Sequence, residues 1–119
     1  MSAAPAKPAL SPADVVAAQF EAYNAQDIEA FCACYAPDAV LASHNGDVLA
    51  EGLEAIRARH VTLFATHPQN RARLVHRIAL PGTVIDHEDV ERAPGGERFQ
   101  VAAIYSFRDG LIGRVEFAR

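Results

Sequence analysis

Two spacings of apolar residues run along this chain. Three-to-four spacing dominates the first half and marks helices with one buried face. Strict alternation dominates the second half and marks half-buried strands. Ser11-Pro12-Ala13-Asp14 is a helix start: Ser11 suits the N-cap, Pro12 the first turn and Asp14 the positive end of the axis. Val16, Gln19, Phe20 and Tyr23 then share a face. Asn24 to Asp27 breaks that helix, and Asp27 can cap a short second one with an inner stripe of Ile28, Phe31 and Tyr35, closed by Pro37. The stretch AVLASHNGDVLAEG (39–52) predicts a hairpin folded at Asn45-Gly46, a pair that tolerates the positive φ of a tight turn. Gly52 opens a third helix whose apolar face is Leu53, Ile56, His60, Leu63 and Phe64, and Pro68 closes it.

After residue 70 the pattern changes to RARLVHRIAL, TVIDHEDVER, ERFQVAAIYSFR and LIGRVEFAR, joined at Pro81-Gly82, Ala93-Pro94-Gly95-Gly96 and Asp109-Gly110. These are consecutive antiparallel strands with tight turns. Helix, helix, hairpin, helix and a four-strand meander make an α+β fold, with the helices on one face of a curved sheet. The predicted organisation is a loose tail over 1–10 and a single domain over 11–119.

Composition narrows the functions. The chain has 119 residues, 50% hydrophobic and 22% charged, with a net charge of -4. That is a globular composition, and without a basic stripe nucleic acid is not an expected partner. No apolar run is long enough to cross a bilayer, so no membrane is expected. The opening residues lack a signal-peptide core, and a cytoplasmic protein is expected. Cys32 and Cys34 stand one residue apart. That spacing suits neither a redox C-x-x-C pair nor a zinc pair, and on a helix the two point about 200° apart. Reduced thiols are the simpler expectation. No nucleophile elbow, phosphate loop or dinucleotide fingerprint occurs, and no cofactor is expected.

The stretches NAQD (24–27), YAPDAV (35–40), GLEAIR (52–57) and VIDHE (84–88), in this order of elements, resemble the nuclear-transport-factor-2-like superfamily. Within it they are most similar to the SnoaL-like and ketosteroid-isomerase-like proteins. The resemblance covers about residues 12 to 118. It implies a cone: a curved mixed or antiparallel sheet packed on three N-terminal helices, with an internal pocket. It implies no metal, a small hydrophobic molecule as ligand, and a homodimer formed through the outer face of the sheet. Ketosteroid isomerases use an aspartate base and two acidic donors. Carried over by position, the resemblance puts Ser43 at the base, with His44 beside it, Gln19 at the tyrosine donor, and Tyr105 at the protonated aspartate. None of the three matches, and serine is no base at neutral pH. Tyr105 can still donate to an oxyanion.

Strand register then decides which side chains meet in the pocket. A two-residue loop at Pro81-Gly82 pairs Ile78 with Ile85, His76 with His87, and Arg77 with Asp86. An even offset in the next hairpin sets Ile85 opposite Tyr105, His87 opposite Ala103, and Asp89 opposite Val101. It sends Asp86 and Glu88 outward and His87 inward, with Phe99, Val101, Ala103, Tyr105 and Phe107 on the inner face. His87 is then the expected base, since its ordinary pKa lies near neutrality, and Tyr105 the expected oxyanion donor. The ligand-binding set is Gln19, Tyr23, Ser43, His60, His76, Ile85, Val101 and Ala103. His76, His87 and Asp89 share a face in this register, but no tight spacing marks them as metal ligands, and no metal is expected. One reading is an isomerase or lyase that moves a proton on a hydrophobic carbonyl compound. Another is a dimeric module that holds a ligand without chemistry. A dehydratase or epoxide hydrolase of the same fold is a third, and Arg77 with Asp86 could form part of the latter's Asp-Arg-Asp cluster only in a reversed register.

Overall fold

A computed structural model of the chain describes residues 10–119. The tail expected over 1–10 lies outside the described residues except at Leu10. Helix α1 spans Pro12–Ala25. Its entry is doubly tied: the Ser11 hydroxyl accepts from the Asp14 N–H at 3.1 Å, and the Asp14 carboxylate accepts from the Ser11 N–H at 3.2 Å. Helix α2 spans Ile28–Cys32, and Asp27 caps it by accepting from the Ala30 N–H.

Here the structure departs from the sequence pattern. Tyr35 does not belong to α2 but opens strand β1, Tyr35–Ser43. Pro37 lies inside that strand, where the pairing with its neighbour is interrupted between Tyr35 and Val40. A residue without an N–H is tolerated where the ladder is already broken. The hairpin continues into β2, Val48–Glu51. At its tip Asn45 takes the left-handed conformation and Gly46 does not, and the Ser43 N–H donates to the Asp47 carbonyl, so the loop is longer than a two-residue turn. Helix α3 follows over Leu53–Thr66, then β3 (Arg71–Ala79), β4 (Thr83–Glu91), β5 (Arg98–Arg108) and β6 (Leu111–Ala118).

The six strands form one sheet in the order β2-β1-β6-β5-β4-β3. All neighbours are antiparallel except β1 and β6, which run parallel. Three helices cover one face, as expected for the α+β cone. Val16, Phe31, Leu41, Ile56, Val84, Ile112 and Val115 make the buried centre between helices and sheet. No described helix is long and apolar enough to cross a membrane.

The β3–β4 hairpin pairs as expected: Ile78 with Ile85, Arg77 with Asp86 and His76 with His87. The β4–β5 hairpin does not. Ala93 to Gly96 form a four-residue loop closed by a hydrogen bond from the Arg92 N–H to the Glu97 carbonyl at 2.9 Å. That closure sets Glu88 opposite Val101, Asp86 opposite Ala103 and Val84 opposite Tyr105. The even offset is therefore wrong by one residue, which turns every β4 side chain over. Val84, Asp86, Glu88 and Val90 face the helices, and Ile85, His87 and Asp89 face outward. The expected inner face of β5 stands, because its apolar alternation belongs against the helices. Asp89 lies on the outer face under the guanidinium groups of Arg98 and Arg73, which hold its carboxyl down to about 2.

Candidate functional site

A cavity of about 480 Å³ opens between α1, α3 and the inner face of the sheet. That size suits a small organic molecule. Its floor is made by Gln19 from α1, Tyr35 and Leu41 from β1, and Tyr105 from β5, all buried. Glu88 reaches it from β4, and Tyr23 and His60 line the helical wall. Ser43, Leu49, Arg59, Leu63, Arg92, Phe99, Phe117 and Arg119 complete the lining, with the more exposed of them toward solvent.

The polar groups on the floor form a chain. The Tyr35 hydroxyl donates to Gln19 Oε1 at 2.9 Å, and Gln19 Nε2 donates to the Tyr105 hydroxyl at 3.3 Å. Tyr35 spends its proton on Gln19. Tyr105 accepts, so among the described residues its own O–H is left uncommitted. Both phenols have pKa values raised well above the ordinary value. Burial is the main cause, and the charge of Glu88 adds to it, so both keep their protons at any working pH.

Glu88 is the one acid in the cavity lining. Burial first, and then the charge of Asp86, push its carboxyl from 4.5 to about 7, while Arg77 pulls it back. Asp86 is the preceding inward position of β4 and is fully buried. It accepts two hydrogen bonds from Arg77 on β3, at 2.7 and 2.9 Å. A carboxylate gripped in this two-pronged way is held in one orientation. Glu88, raised to about 7, is a carboxyl that can change protonation near neutral pH. His60 donates its Nδ1 proton to the Ile56 carbonyl at 2.9 Å and rests against Phe31, with ring centres 4.3 Å apart. Burial lowers its pKa, so it is a neutral wall rather than a strong base.

Gln19, Tyr23, Ser43, His60, Val101 and Tyr105 of the expected site line this cavity. Ala103 sits on the same inner face but is packed into the core. His76, Ile85 and His87 are corrections. They lie on the outer face of the sheet, where His87 Nε2 meets the Gln100 side-chain oxygen in an exposed pair. His44 also turns away, with its Nδ1 3.0 Å from Glu116 at the surface. Among the described residues, no three His, Cys, Asp or Glu side chains are grouped so as to hold a metal ion. Sequence reasoning missed Glu88, Tyr35 and the arginines. The four-residue length of Ala93–Gly96 was the available signal for Glu88, because it fixes which β4 residues oppose Val101 and Tyr105.

The family model of the SnoaL-like domain matches residues 16–115. Among solved structures, an uncharacterised cystatin-fold protein from Novosphingobium aromaticivorans shares 35% identity. The match covers 92% of this chain and 99% of that one, with a TM-score of 0.87. A candidate polyketide cyclase from Sinorhizobium meliloti is 24% identical over 88% of this chain and 94% of its own, with a TM-score of 0.75. A candidate ketosteroid isomerase from Kribbella flavida is 17% identical over 87% and 73%, with a TM-score of 0.73. These last two likenesses show the fold. No curated protein matches the chain.

Proposed function

The chain belongs to the SnoaL-like domain family, and on that premise we propose that it is a small-molecule enzyme that moves a proton on a hydrophobic carbonyl compound, with Glu88 as the base. The observation that carries this is a carboxyl poised at about 7 in the same cavity as an uncommitted Tyr105 hydroxyl. A base whose pKa sits near the working pH combines a usable ionised fraction with enough basicity. The substrate carbonyl accepts a hydrogen bond from Tyr105. The ionised Glu88 takes a proton from the adjacent carbon, and the charge that develops on the carbonyl oxygen is held by the Tyr105 O–H. Gln19 steadies Tyr105, and Tyr35 steadies Gln19. Glu88 then returns the proton to another carbon, which makes the net reaction an isomerisation. Two of the fold neighbours carry names of carbonyl chemistry, polyketide cyclase and ketosteroid isomerase, and this agrees with the reading.

Deuterium uptake next to the carbonyl of 2-tetralone, followed by proton NMR in heavy water, tests it. Exchange faster than in buffer is expected, and since the base must be ionised, the rate rises with pH through about 7 and levels above it. Binding of the ketone without any exchange would leave a ligand-holding module and remove the enzyme.

The same proposal includes pairing of two copies through the outer sheet face, where Ile78, Ile85 and Ile104 form a cross-strand row and Ile78 is 46% exposed. Sedimentation at micromolar concentration is expected to report a dimer. A monomer there removes the pairing and leaves the cavity chemistry untouched.

A further inference from the structure

The mouth of the cavity has a charge pattern unlike its floor. Arg59, Arg92 and Arg119 line it, against Glu88 as the one acid. Two of the three share a single aromatic ring. The guanidinium carbon of Arg119 lies 3.7 Å from the centre of Phe99, and that of Arg92 lies 4.8 Å from it. A guanidinium lying over a ring keeps its N–H edge free for a planar anion. Two like charges gathered at one ring also repel, and an anion bound beside them relieves that repulsion.

Partial neutralisation reaches only Arg92. It donates to Asn70 Oδ1 at 2.8 Å and approaches the Glu97 carboxylate at 3.8 Å. Among the described residues Arg59 and Arg119 form no ion pair, although nine pairs occur across the described chain. Unpaired arginines on an acidic protein, at the rim of an otherwise apolar hollow, are placed to meet a charge the protein does not itself supply.

We infer that the ligand of this cavity is amphipathic and anionic: an apolar, carbonyl-bearing body lying toward Glu88 and Tyr105, with a carboxylate at the outer end held by Arg119 and Arg92. This rests on the proton-transfer reading for which end of the ligand lies deep. The spacing also limits its length. Glu88 and Arg92 are four positions apart along one strand direction, a rise of about 13 Å.

The test uses a matched pair of probes, 2-naphthylacetate and its neutral counterpart 2-naphthylacetamide. Calorimetry at about pH 6 in low salt keeps the probe ionised, because an ordinary carboxyl titrates near 4, while Glu88 is mostly protonated. The acetate is expected to bind about tenfold tighter than the amide, the advantage of a charge-assisted pair over a neutral one. Arg119→Gln is expected to bring that ratio down to about twofold, since the remaining arginines act through partly screened charge. Arg108→Gln removes the same charge from an exposed pair with Asp38 that is not part of the cavity lining, and leaves the ratio unchanged. Equal binding of the two probes, no binding of either, or a ratio that survives Arg119→Gln overturns the inference. The 2-tetralone experiment on the unaltered protein separates the two ideas. Exchange with no carboxylate preference sinks the anionic ligand alone. Carboxylate preference with no exchange supports the anionic ligand and sinks the proton transfer.

Discussion

Glu88→Gln is expected to abolish proton exchange and, at the same time, to make the protein more stable above pH 7. Glutamine keeps the shape of the protonated acid but cannot accept a proton from carbon. Loss of a positioned general base lowers the rate by about 10²–10⁴-fold. The stability change follows from the same carboxyl. Its folded value is about 7 against an ordinary 4.5. Below 4.5 the group is protonated in both folded and unfolded chains and has no effect. Between 4.5 and about 7 the unfolded chain releases the proton and the folded one holds it, so stability falls as pH rises. Above both values the loss is complete, roughly 3 kcal/mol at most. Urea denaturation of the two proteins should give curves that coincide near pH 4 and separate by that order near pH 8, with the variant the more stable. His87→Gln, on the outer face, serves as the control and keeps the exchange rate. Parallel pH curves for Glu88→Gln and the parent would mean that the carboxyl is solvated, and the base would be lost with it.

This pairing of lower stability with function explains why the stretch from Val84 to Val90 reads ambiguously. Acids are seldom buried, so Asp86 and Glu88 look like a solvated row. Nothing within β4 contradicts that, because an apolar residue stands on either face, Ile85 on one and Val84 and Val90 on the other. The decision comes from residues outside β4. Arg77 neutralises Asp86 from the next strand, and the closure of Ala93–Gly96 chooses the face. Local chemistry was legible: the Ser11 and Asp27 caps, the Pro81-Gly82 hairpin and the apolar alternation of β5 all appear as their residue types require. The family resemblance pointed to Gln19 and Tyr105, and both line the cavity. The parallel pairing of β1 with β6 was not, since it joins segments some seventy residues apart with no turn between them. Tyr35 was hidden for a related reason. Its spacing from Ile28 and Phe31 fits a helix, and only the ladder to β6 draws it into a strand. Arg119 gave no signal until the sheet brought it over Phe99.

Arg77→Ala is expected to destabilise the fold by about 3–5 kcal/mol, the range for leaving a buried charge without its partner. Asp86 is fully buried and would lose both of the hydrogen bonds that Arg77 donates. It would have to take up a proton or draw water into the sheet–helix interface. The double replacement Arg77→Met with Asp86→Leu removes the pair together and fills a similar volume. Most of the lost stability should return, to within about 1 kcal/mol of the parent, because a buried ion pair adds little net stability over apolar residues of its size. Urea denaturation of the parent, Arg77→Met, Asp86→Leu and the double variant measures the coupling. A loss below about 1 kcal/mol for Arg77→Ala would mean that Asp86 does not depend on Arg77. The double variant also answers why an ion pair occupies this place at all. Asp86 pushes the Glu88 carboxyl up more than Arg77 pulls it down. Without the pair, burial alone raises Glu88, so the midpoint of the exchange profile should fall below 7 while staying above the ordinary carboxyl value. A midpoint that does not move would assign the tuning of Glu88 to burial alone and leave Asp86 and Arg77 a purely structural pair.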